Sequence, residues 1–164
     1  MSQGKKETGQ ASDRCFLVVV DPTEEMHTAL RFACYRARRT GGYVSLLYVL
    51  EPADFHHWAT VGELMREEAR EAAEESLTKL SAGVKALTGK MPVLFVREGI
   101  RSEELLKIIE EEASISVLVL AASSDQEGPG PLINDLVNKM AGKLRVPITI
   151  VPGNLTDDAL RALT

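Results

Sequence analysis

Cys15-Phe16-Leu17-Val18-Val19-Val20 runs straight into Asp21-Pro22-Thr23-Glu24. Six apolar residues without polar alternation suit a strand covered on both faces, as in a parallel sheet clad by helices. The next four read as a helix start. Pro22 suits the first helical position, and Glu24 is placed to close a capping box with Asp21, with Thr23 as the rival cap. Met26, Leu30, Ala33, Cys34 and Ala37 then recur at helical spacing. Arg36, Arg38 and Arg39 crowd the end of that helix, where cations suit its dipole, and Gly41-Gly42 stops it.

The same unit repeats outward from this first strand and helix. Tyr43 to Leu50 reads as a second strand, closed by Glu51-Pro52, and an amphipathic helix spans about residues 61 to 87. Pro92 to Val96 is a third strand with Arg97 to Arg101 as its exit loop. Ser102 is then expected to cap a helix with Glu103 and Glu104 in its first turn. Val117 to Leu120 is a fourth strand, residues 121–134 a loop, and a helix is expected from about Asp135 to Leu144. Val146 to Val151 is the fifth strand; its Pro147 cannot donate to a ladder, which puts the strand at an edge or starts it beyond the proline. Strict β-α alternation with right-handed crossovers predicts an α/β class, a single Rossmann-like domain with a five-stranded parallel sheet and helices on both faces. Residues 1–13 read as a disordered lead, 14–152 as the domain and 153–164 as a tail, within which Thr156 is placed to cap one short helical turn.

Composition narrows the function. The 164 residues carry a formal net charge of -5, with 45% apolar, 26% charged and 5% aromatic residues. That balance offers no basic footprint for nucleic acid, few rings for base stacking, and disfavours an anionic membrane surface. No apolar run approaches the roughly 18 residues of a membrane span, and the start has no apolar signal segment, so a cytoplasmic location is expected. Cys15 and Cys34 lie in apolar patterns and read as small core residues. His56 and His57 are adjacent, so they point to opposite sides of an extended segment. With Asp54 nearby but no further ligand, no metal site is expected; the loop instead reads as Phe55 and Trp58 packing over the sheet end. His27 reads as a surface or boundary residue, and the glutamate-rich long helix as a solvated face. Neither G-x-G-x-x-G nor G-x-x-x-x-G-K-[ST] occurs, and Ser123-Ser124-Asp125 is not a nucleophile elbow. No catalytic residue is assigned.

Five strings in order resemble the universal stress protein family: Leu17 to Asp21, Leu46 to Pro52, Glu98-Gly99, Val117 to Ala121, and Val146 to Val151. The resemblance covers about residues 14 to 152. It implies a homodimer through the final edge strand, here with Ile148, Ile150 and Val151. It also implies a nucleotide site after the fourth strand, which ATP-binding members build on G-x-x-G-x9-G-[S/T]. In this chain the four motif positions fall on Ala121, Ser124, Asn134 and Asp135, and none keeps the family residue. Leu120 and Leu136 flank them, while Asp21, Pro22 and Val49 match positions near the adenosine moiety. Asp135 is expected at the helix N-terminus, where its charge would occupy the anion site. At about 4 Å it would oppose a phosphate charge by about 4 kcal/mol at an effective dielectric near 20. No Lys or Arg between Val117 and Asn138 offsets it. The expectation is a non-catalytic stress-response module without a cofactor, binding nucleotide weakly or not at all; ATP or AMP binding is the alternative.

Overall fold

The computed structural model describes residues 13–51, 62–124 and 128–164. Strands Cys15–Val20 (β1), Tyr43–Leu50 (β2), Val93–Glu98 (β3), Ile115–Ala122 (β4) and Ile148–Pro152 (β5) alternate with helices Glu24–Thr40 (α1), Gly62–Thr88 (α2), Arg101–Glu111 (α3) and Pro131–Asp135 (α4); helix Asp157–Leu163 (α5) follows β5. The strands pair in parallel in the order β3-β2-β1-β4-β5, the five-stranded α/β architecture expected. The lead before Asp13 and the loop with His56, His57 and Trp58 lie outside the described residues.

All six residues of β1 are buried, and their alternation divides the core. Phe16, Val18 and Val20 pack with Ala33 of α1, Leu77 of α2 and Leu160 of α5. Cys15, Leu17 and Val19 pack on the opposite face with Leu105 and Ile108 of α3 and Leu136 beyond α4. Each large side chain so enclosed contributes about 1.5–3 kcal/mol of transfer free energy. Both cysteines are buried free thiols, and burial pushes the Cys34 thiol up to about 12. His27 is exposed on α1.

Local chemistry moved several boundaries. Thr23 takes the position before α1 but makes no capping bond; Asp21 Oδ1 instead accepts from the Thr23 amide at 2.8 Å and from its hydroxyl. An Asx turn thus replaces the expected capping box, and Pro22 precedes the helix. Arg97 and Glu98 extend β3, and α3 begins at Arg101, which puts Ser102 in its first turn as a buried residue. The helix expected from Asp135 begins at Pro131, becomes a π turn over Leu136–Met140 and a 3-10 turn over Ala141–Lys143. Proline at the first helical position costs nothing there, because that N–H has no helical partner.

The expected tail is part of the packed body. Thr156 caps α5 by accepting from the Ala159 amide at 3.2 Å, and Leu160 is fully buried against α1. Tyr35 Oη donates to Asp157 Oδ1, and Arg161 Nε holds the other carboxylate oxygen at 2.8 Å. Arg145 ties a second junction. Its Nη2 donates to the carbonyls of Ile109, Glu112 and Ile115 at 2.8, 3.0 and 3.1 Å, meeting the open carbonyls at the end of α3 and the start of β4.

Two outcomes follow from this packing. A Cβ on Gly42 would sit 2.2 Å from the Arg14 carbonyl oxygen, the acceptor for Tyr43 N–H. Gly42→Ala is expected to cost about 1–3 kcal/mol in urea unfolding, the usual range for overpacking. Donation from Tyr35, then from Arg161, holds the Asp157 carboxyl below its usual 3.8. A depressed carboxyl stabilises the fold above its unfolded pKa and stops doing so as pH falls through the folded one. The stability gap between wild type and Asp157→Asn should therefore be constant from neutral pH down to the carboxylate range and close below it; a gap that persists under acid would show that charge is not its source.

Candidate functional site

The chain leaves β1 for β2 and β3 on one side, then returns to lay β4 against the other side of β1. Helices after β1 and β4 diverge to opposite faces at this reversal, so a crevice opens at the carboxyl ends of the two strands. A cavity of about 410 Å³ occupies it. That is within the range of small-molecule sites, about 300–1,000 Å³.

Four segments wall the cavity. From the end of β1 come Val19, Asp21 and Pro22, continued by Thr23, Glu25 and Met26. The Asx turn engages only Oδ1 of Asp21, so Oδ2 has no protein partner among the described residues. From β4 come Leu120, Ala121 and then Ser123, whose N–H donates to Pro129 at 3.2 Å and draws the loop shut. The loop into α4 contributes Pro129 and Gly130, with Gly130 at φ 108°, followed by Pro131, Leu132 and Ile133. Pro129 and Pro131 have no N–H, so two of three successive residues on this rim cannot donate.

The fourth wall is Arg101, the first residue of α3. Gly99 makes the turn before it at φ 150°, its N–H donating to Leu50 at 2.9 Å. The Arg101 amide donates to Glu51 Oε1 at 3.3 Å, so the end of β2 holds the backbone from which the guanidinium projects. Among the described residues, no carboxylate pairs with Arg101, and its buried Nε has no hydrogen-bond partner. A buried donor left unmet costs about 1–3 kcal/mol, more when charged.

Of the expected site residues, the structure gathers Asp21, Pro22, Leu120 and Ala121 around the cavity. The others do not line it. Val49 is buried within β2 and Leu136 is fully buried in the core. Ser124 and Asn134 are exposed, the Asn134 amide donating to Gly130 within the first turn of α4. Asp135 is corrected most sharply. The helix starts four residues earlier than expected, and Asp135 sits a full turn inside it, paired with Lys139 Nζ at 3.2 Å. Its carboxylate therefore does not stand at the helix start and does not line the cavity.

Arg101 and Glu25 were missed. For Arg101 a signal existed: a cation at the first position of a helix opposes the dipole, where Asp or Glu is preferred. A local rule broken without local gain points to a site. No group of three or more His, Cys, Asp or Glu positioned to hold a metal occurs among the described residues, and no helix there is long and apolar enough to cross a membrane.

The model of the Universal stress protein family matches residues 14–152. No curated protein is significantly similar to the chain in sequence. Among solved structures, the universal stress protein UspA from Lactobacillus plantarum superposes with a TM-score of 0.73 at 16% identity, covering 86% of this chain and 99% of its own. A universal stress family protein from Burkholderia pseudomallei gives 0.64 at 18%, covering 84% and 95%. A universal stress protein in complex with cAMP gives 0.63 at 14%, covering 86% and 98%. At these identities the likeness is one of fold.

Since Asp135 is outside the cavity, Asp135→Ser is expected to leave the affinity for any cavity ligand within about twofold by calorimetry. A large gain would return the carboxylate to the site.

Proposed function

The chain belongs to the universal stress protein family, and on that premise we propose that it is a non-catalytic, dimeric binding module whose cavity takes a nucleoside carrying a single phosphate in preference to ATP. The balance of charge and donors on the cavity wall carries this reading. Among the described residues the wall carries one cation, Arg101, and two carboxylates, Asp21 and Glu25. Such a site suits a ligand of low negative charge and opposes the three phosphates of ATP. The proline-lined rim and Ala121 replace a glycine loop whose amides would cradle a longer phosphate chain. Asp21 Oδ2 suits an acceptor for a ligand hydroxyl or amine. The neighbour solved with cAMP holds a ligand of this charge class in a related fold.

For the dimer, support comes from β5, which among the described residues pairs only with β4 and so forms an edge of the sheet. Ile150 is 42% exposed on that strand and Ile148 is half-buried, while Val151 is buried at 2% and faces the core instead of a partner.

Chromatography of small molecules released on denaturation, followed by calorimetry, tests the ligand. Binding of AMP or cAMP at least tenfold tighter than MgATP is expected; stoichiometric ATP in the extract would overturn the preference. For the dimer, Ile150→Lys should sediment as a monomer, and an unchanged dimer would place the interface elsewhere.

A further inference from the structure

We propose that Arg101 is the anion anchor of the cavity, receiving the ligand's phosphate side-on through Nε–H and one Nη–H. The proposal rests on the reading of this cavity as the ligand site and gives that site its recognising group. Among the described residues Arg101 is the one cation on the cavity wall, which otherwise carries Asp21, Glu25 and apolar or uncharged groups. Its Nε is buried and unpartnered among the described residues, and no carboxylate there pairs with the guanidinium. An arginine seated for structure alone would meet a carbonyl or a carboxylate with these donors, as Arg145 does with three carbonyls. Arg101 lines the cavity with its Nε donor unspent, and a guanidinium is the planar fork that matches two oxygens of one phosphate.

Position supports the same role. The guanidinium projects from a backbone held by Glu51 and by the Gly99 turn, so the donor is supplied by two anchored elements and not by a free loop. It shares the cavity with the loop into α4, where Pro129 and Pro131 offer no backbone donors. A side chain has thus taken over from backbone amides as the phosphate receptor, one charge-assisted contact in place of several. Lysine in its place would offer a point charge without the fork.

The test uses the full chain and reads the Arg101 Nε–H resonance by NMR alongside calorimetry. Inorganic phosphate, acetate, adenosine and AMP are titrated into wild type, Arg101→Gln, Arg101→Lys and the surface control Arg70→Gln, each checked for folding by thermal melt. Wild type is expected to shift the Nε–H signal with phosphate and AMP, and to prefer AMP over adenosine. Arg101→Gln should lose roughly 10- to 100-fold in AMP affinity, the worth of a charge-assisted contact, with adenosine unchanged. Arg101→Lys should recover only part of that loss, and Arg70→Gln should match wild type. Phosphate that shifts the signal while adenosine fails to bind would sink the nucleoside reading and leave the anchor standing. An Nε–H signal that responds to neither phosphate nor AMP, or only to acetate, overturns the anchor, as does undiminished AMP affinity in Arg101→Gln. If Arg101→Gln does not fold, the Nε–H response of wild type and the partial loss in Arg101→Lys decide the matter.

Discussion

Everything in this fold leans on the burial of β1 from both sides and both faces at once. Leu17 and Val18 are adjacent in sequence, yet they face different helical layers, and each is essentially inaccessible to water. A strand so enclosed must satisfy its backbone in two parallel ladders, with β2 and with β4. Those two neighbours are reached by excursions in opposite directions, and the divergence of the helices that follow opens the cavity at the strand ends. Core and cavity therefore have the same origin: the strand that is covered most completely along its length ends where the covering parts.

The architecture was legible because buried strands and amphipathic helices announce themselves by period. The element order and the burial of Cys15 and Cys34 followed from apolar patterns, and Pro147 marked β5 as an edge strand or one that starts beyond the proline. Boundaries were less legible where two local signals competed. Gly130-Pro131 is a strong start signal, glycine in a conformation closed to other residues and then proline at the first helical position. The helix expected from Asp135 starts at this signal instead. The error mattered because an aspartate at the start of a helix and an aspartate one turn inside it have opposite meanings for an anion. The first competes for the site; the second makes an ordinary surface pair with Lys139.

The site was less legible than the fold for a related reason. Spacing arguments look for residues near one another in sequence, whereas Asp21, Arg101 and Gly130 meet only because three strand ends meet. Arg101 carried a sign of its role in its disagreement with the helix dipole, but that sign says only that something outside the helix must compensate. The structure supplies the missing half: a cavity wall with no second cation among the described residues and a buried Nε without a partner there. In the proposed reading, the two carboxylates on the same wall limit the charge the site tolerates.

The position of Cys15 carries a consequence for how the molecule assembles. Its thiol touches the Ser45 hydroxyl 30 positions away in β2, while its amide donates to the Ser116 hydroxyl 101 positions away in β4. Closing the longer loop costs about 1 kcal/mol more in chain entropy than closing the shorter one, and non-local pairings of this kind slow folding. The sheet can grow from β1 through β3 on neighbouring contacts, whereas the joint between β1 and β4 waits on nearly two-thirds of the chain. The cavity lies at that joint, so its walls come together only with a long-range closure, and any ligand held there would favour the closed chain over partly assembled forms.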